Sequence, residues 1–158
     1  MICKRTLWLM VFWCTAALSV FAQESKDIAV VVHPSNPVTN ISLKDLRQLY
    51  LGDRLFWSSK IPVLVILHKS GTPETDVLLR SVVKMSDSEF SKHWDAKVFR
   101  GEASAAPPVV FSNGMAGEAV SSITGAISLI AFKDVKGKGK IVKVDGLQPG
   151  QPGYPLHQ

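Results

Sequence analysis

Three short runs of apolar residues constrain the fold of this chain more than any other feature. Ile28-Ala29-Val30-Val31-Val32, Ile61-Pro62-Val63-Leu64-Val65-Ile66-Leu67 and Ala126-Ile127-Ser128-Leu129-Ile130-Ala131-Phe132 are rich in β-branched residues and nearly free of polar interruption. A half-wet strand alternates polar and apolar residues. A continuous run must be covered on both faces, so each reads as a strand inside a sheet with layers on either side. Pro62 has to stand at the start of its run, because proline has no N–H for a sheet ladder. Ile141 to Val144 reads as a fourth strand.

The segments between these runs carry helical signals. Ser42 with Asp45 three residues on makes a capping-box-like start, Leu43, Leu46, Leu49 and Tyr50 form one stripe, and Gly52 stops the helix. Thr72 caps a second helix, Pro73 suits its first position and Glu74 complements its dipole, while Val77, Leu78, Val82 and Val83 give its inner face. A third starts at Ser86 with Glu89 as capping partner and places Phe90, Trp94 and Val98 at core spacing. A short fourth runs from Ser112 to Ile123 and ends at Thr124-Gly125. Gly101 to Pro108 is a loop. Strands alternating with helices, without internal repeats, mean an α/β fold with a mixed or mostly parallel sheet flanked by helices.

The chain has 158 residues, enough for one domain. Residues 1–22 read separately. Lys4 and Arg5 precede the apolar stretch Leu7 to Val20, and Val20-Phe21-Ala22 suits a peptidase, so cleavage before Gln23 is expected. That stretch is shorter than the roughly 20 apolar residues of a membrane span. A signal peptide over 1–22, a domain over 23–145 and a Pro/Gly-rich tail over 146–158, extended or mobile, follow from this reading, with a periplasmic location. Both cysteines, Cys3 and Cys14, fall in the leader. The remainder has no disulfide, no thiol nucleophile and no cysteine-ligated metal, and stands on its apolar core.

Setting Lys4 and Arg5 aside leaves 16 basic against 13 acidic residues. Lys133, Lys136, Lys138, Lys140 and Lys143 cluster near the end and read as a solvated turn with a lysine-guarded strand edge. No basic face interleaved with aromatics marks a nucleic-acid binder. His33, His68, His93 and His157 show neither HxH nor HExxH spacing, and there is no GxSxG or GxxxxGK[ST] motif. Neither a metal, a cofactor nor a catalytic centre is expected. One segment does carry chemistry. His68-Lys69-Ser70-Gly71-Thr72-Pro73 joins a buried strand to a helix, where hydroxyls and backbone N–H groups converge at the positive end of the dipole. Gly71 permits close approach, and His68 or Lys69 adds a donor or a charge. The same residues also make an ordinary helix cap.

Four stretches in order resemble the substrate-binding proteins of phosphate ABC transporters, as a short single-lobe relative. They are Ile28 to Val38 with its Asn36-Pro37 turn, Ser42 to Gly52 followed by Trp57, the turn Ser70-Gly71-Thr72, and Gly125-Ala126-Ile127-Ser128-Leu129-Ile130. The resemblance covers about Ile28 to Val135. It implies a single periplasmic-binding-protein-like lobe, a non-enzymatic role, and phosphate or a similar oxyanion bound at Ser70, Gly71 and Thr72, with Lys69 and His68 beside them. An inner-membrane ABC transporter or another envelope protein is the implied partner. Two departures accompany it. Ile66, Pro73, Glu74 and Thr75 stand where the family places an arginine, and the chain has length for one lobe of two. These favour an alternative, an envelope interaction or adaptor module with the same fold and a degenerate site. A homodimer would supply a second wall.

Overall fold

The structure is a computed structural model and describes residues 26–158. The expected signal peptide and its cleavage point lie outside the described residues. Twelve elements follow in order: β1 (Ile28–Val32), β2 (Asn40–Ile41), α1 (Leu43–Tyr50), β3 (Leu64–His68), α2 (Pro73–Val77) continuing into a π-helical stretch (Leu78–Val83), α3 (Asp87–Phe99), β4 (Val109–Val110), α4 (Asn113–Ser122), β5 (Ala126–Ala131), a 3₁₀ turn (Phe132–Asp134) and β6 (Lys140–Val144).

The six strands form one sheet in the order β2-β6-β1-β5-β3-β4. β1 runs antiparallel to both neighbours, pairing Val30 with Leu129 of β5 and with Val142 of β6. β3 is parallel to β5 and to β4, and β2 to β6. The sheet is therefore mixed, with helices on both faces. In β1, alternate residues serve opposite layers. Ile28, Val30 and Val32 join the core beneath α1, α2 and α3, while Ala29 and Val31 join the one beneath α4. Both faces are covered, which is why the run shows no alternation.

The predicted caps at Ser42, Thr72 and Ser86 hold, Ser86 with Glu89 closing a full capping box, and Ser112, expected as the first helical residue, is the N-cap of α4. Trp57 donates its Nε1–H to the Gly125 carbonyl (2.9 Å), tying the loop after α1 to the start of β5. Gly52 takes φ +68°, and a Cβ there would lie 2.6 Å from Cη2 of Trp94, so the glycine lets α1 end against α3.

Several expectations need correction. The helix from Thr72 is α-helical only to Val77, then widens to a π-helical stretch closed by Lys84 at φ +55°. Val98 is more than one-third exposed, unlike Phe90 and Trp94, because it lies off the buried side of α3. The lysine-rich strand guards no edge: two-residue β2 pairs with β6 and takes the edge position, a strand too short to leave a periodic trace. The tail is extended but docked. Tyr154 and Leu156 are buried, the Tyr154 hydroxyl donates to the Ile28 carbonyl (2.9 Å), the Ile28 N–H donates to Leu156, and His157 sits 2.7 Å from the buried Asp27. Its two apolar side chains fill the core at the start of β1, which composition hid behind prolines and glycines.

Candidate functional site

The parallel strands β3, β5 and β4 end on one side of the sheet, at His68, Ala131 and Val110. In open α/β sheets the crevice beyond such strand ends is where ligands sit. Here that crevice has a volume of about 700 Å³. Two helix N-termini border it: Thr72, Pro73 and Glu74 from α2, and Ser112, Asn113 and Gly114 from α4. Lys133, Lys136 and Lys138 form a further wall in the segment after β5.

Local bonding holds these walls in place. Ser112 caps α4 by accepting the Met115 N–H (3.2 Å). Asn113 accepts the Ala131 N–H (3.4 Å) through Oδ1 and donates Nδ2–H to Asp134 (2.9 Å), so the start of α4 is pinned to the end of β5. Lys138 pairs with Glu118 on α4. Lys136, Gly137 and Gly139 all adopt positive φ, which folds the lysine segment back toward the cleft. Both dipoles and the three ammonium groups favour negative charge there, while Glu74 and Asp134 on the same walls oppose it.

The five residues singled out from the sequence are divided between two cavities. His68 and Thr72 line the cleft. Lys69 and Ser70, again with His68, line a smaller cavity of about 240 Å³ against α3. Gly71 lies between them at φ +79°, and a Cβ placed on it would meet no atom within 4 Å. The hydroxyls are engaged: Ser70 donates to Asp87 (2.7 Å), and Thr72 donates to the Thr75 hydroxyl (3.1 Å) while accepting the Thr75 N–H. Among the described residues the Ser70 and Gly71 N–H groups make no hydrogen bond.

His68 is 7% exposed, and its Nε2 has no hydrogen-bond partner among the described residues. Burial pushes its pKa below the usual imidazole value of 6.5, with Glu74 pulling the other way. The imidazole is therefore neutral at pH 7 and acts as a hydrogen-bonding group, not a cation. Among the described residues no group of three or more His, Cys, Asp or Glu is placed to hold a metal ion, and no helix is long and apolar enough to cross a membrane. Sequence patterning missed Ser112, Asn113 and Gly114 as site residues, and placed the three lysines in a solvated turn. A helix start at Ser112 was visible in the sequence, but its convergence with the α2 cap depends on β4, only two residues long.

No protein-family model matches the chain, and no curated protein matches its sequence. Solved structures do match its fold. A Clostridium perfringens protein solved with bound phosphate aligns at a TM-score of 0.63 and 22% identity, over 78% of this chain and 46% of that one. An ABC-type phosphate transport receptor from Vibrio cholerae aligns at 0.55 and 20%, over 78% and 48%. PstS from Borrelia burgdorferi aligns at 0.65 and 17%, over 84% and 54%. The chain thus spans about half the length of these proteins. At these identities the likeness is one of fold, and the fold is the periplasmic-binding-protein-like α/β lobe expected from the sequence.

Proposed function

We propose that this chain is a periplasmic, single-lobe solute-binding domain that takes phosphate or a similar oxyanion and works as a binding protein, not an enzyme. The observation that carries the reading is the cleft at the ends of β3, β4 and β5, where the N-termini of α2 and α4 meet Lys133, Lys136 and Lys138. Two converging N-termini present unsatisfied N–H groups to an anion, and the lysines add full charges. The ligand lies against Thr72 and His68, with Gly71 and Ser70 offering backbone N–H groups at the lip and Lys69 on the far side of the turn. The solved structures sharing the fold are described as phosphate-binding or phosphate-transport proteins, which supports an oxyanion and an ABC transporter as partner.

Calorimetric titration of the purified protein with phosphate and with sulfate at low salt tests this. Saturable binding is expected, weakened at least tenfold in a Lys133→Gln/Lys136→Gln/Lys138→Gln variant that still unfolds cooperatively. Unchanged affinity in that variant rejects the cleft as the site.

A second reading has its own support. With the Ser70 and Thr72 hydroxyls both engaged inside the fold, and Phe111 on the cleft wall 69% exposed, the lobe also suits an envelope interaction module whose ligand site has decayed. Silence toward both anions up to about 10 mM, beyond the roughly millimolar affinity one open lobe can reach, selects it in a folded protein.

A further inference from the structure

Glu74 does not suit a cleft built for a plain anion. It stands in the first turn of α2, lines the cleft together with Lys133, Lys136 and Lys138, and is only 5% exposed. Among the described residues its carboxylate accepts no hydrogen bond and joins no ion pair, yet neither of its oxygens is fully shielded. The other void it borders measures about 10 Å³, room for one water at most, so the cleft is where a ligand group can meet it. His68, close enough to feel the carboxylate's charge, is neutral at pH 7 and offers no counter-charge. A buried carboxylate without a partner is costly, and the α2 dipole offsets only part of that cost.

The cleft is therefore lined by both signs of charge. Asp134 adds a second carboxylate, one oxygen of which already accepts from Asn113 Nδ2–H, so Glu74 is the stronger acceptor left open. A lone oxyanion satisfies the lysines and is repelled by Glu74. A ligand carrying both signs satisfies the two walls at once. The volume of about 700 Å³ admits it, since pockets of roughly 300–1,000 Å³ take whole organic ligands.

We propose that the ligand of this cleft is a small zwitterion, a phosphate-class oxyanion joined by a short chain to an ammonium group. The phosphoryl oxygens meet the lysines, and the ammonium donates to the Glu74 carboxylate. This assignment rests on the reading of the cleft as an oxyanion site and narrows its ligand class.

Four probes test it on the purified protein at low salt, in titrations followed by protein NMR: 2-aminoethyl phosphate, ethyl phosphate, which lacks the ammonium, ethanolamine, which lacks the phosphate, and inorganic phosphate. The amino ester is expected to bind about tenfold tighter than ethyl phosphate, since hydrogen bonds to charged groups are the stronger kind, and ethanolamine weakest of all. Glu74→Gln should close that gap by weakening the amino ester and not ethyl phosphate. Equal affinity of the two esters in the unaltered protein overturns the inference and leaves the oxyanion reading standing. That comparison decides the matter even where the variant does not fold. A tenfold gap that persists in folded Glu74→Gln also overturns it, because the ammonium is then held elsewhere. Absence of shifts from both esters and from inorganic phosphate up to about 30 mM sinks the inference and the oxyanion reading together.

Discussion

Gly125 offers the sharpest test of how the lobe holds its site in register. It sits at φ +98° just before β5, beneath the Trp57 hydrogen bond, and a Cβ added there would lie 2.2 Å from the Pro62 carbonyl oxygen and 2.9 Å from Ile61 Cγ2. The nearest atom is backbone, so no rotamer change relieves the clash. Left-handed strain for alanine costs about 1–2 kcal/mol, and overpacking of this kind about 1–3 more. Gly125→Ala should therefore lose about 4 kcal/mol of the roughly 5–15 that a domain has. With a urea slope of about 2 kcal/mol per molar, the midpoint falls by about 2 M. Gly71→Ala is the internal control. Its φ of +79° carries strain alone, since its Cβ meets nothing within 4 Å, so the midpoint should fall by about 0.5–1 M. Equal midpoint shifts in the two variants would refute the argument from the Pro62 contact. The control also bears on function, because its added methyl stands at the lip beside the Ser70 and Gly71 N–H groups, so anion affinity should fall while the fold is retained.

Three further outcomes are expected. Because burial holds the His68 pKa below 6.5, both folded and unfolded chains are neutral there at higher pH; as pH falls below 6.5 the unfolded chain takes up its proton first and stability drops. His68→Gln should flatten that decline between about pH 7 and 5.5 in urea titrations, and an unaltered slope would place the titration elsewhere. Leu156→Ala, at a fully buried position of the docked tail, should cost about 2–5 kcal/mol, and Tyr154→Phe about 1 kcal/mol through the lost bond to Ile28, both read from urea midpoints. Glu118→Gln releases Lys138 toward the cleft and should tighten phosphate binding about two- to fivefold at low salt, a gain that disappears near 1 M salt, where the screening length is about 3 Å.

Much of this architecture was legible because its determinants are local. The caps read at Ser42, Thr72 and Ser86 rest on residues within three positions of each other, and all three are found. The two-sided burial of β1 and β5 follows from runs too apolar for any wet face. What escaped was set by distant pairings. β2 and β4 are two residues each, ordered by neighbours about a hundred and about forty residues away in sequence, and no periodicity exists in two residues. The tail was misread because Pro152, Gly153 and Pro155 describe its backbone, while Tyr154 and Leu156 between them decide its packing. For the site, the α2 turn was visible as a motif, but that Ser70 would turn toward Asp87, seventeen residues on, depended on how α3 packs.

The open mouth of the cleft bounds how tightly one lobe can hold an anion. A lysine ammonium about 4 Å from a unit charge contributes about 1 kcal/mol in bulk water and about 4 at the effective dielectric of a protein surface. Three lysines facing water therefore supply no more than about 3 kcal/mol, and Glu74 and Asp134 on the same walls reduce it. That is less than the roughly 4 kcal/mol of millimolar affinity, leaving the helix N-termini to make up the difference. Covering the mouth changes each of these terms at once, because excluding water raises the attraction per lysine about fourfold. The rim is suited to being covered: Phe111, a large apolar side chain lining the same cleft as the lysines, is left exposed. Tight oxyanion binding and a second body on this face are therefore the same requirement, and a lobe measured alone should bind weakly, with a steep dependence on salt.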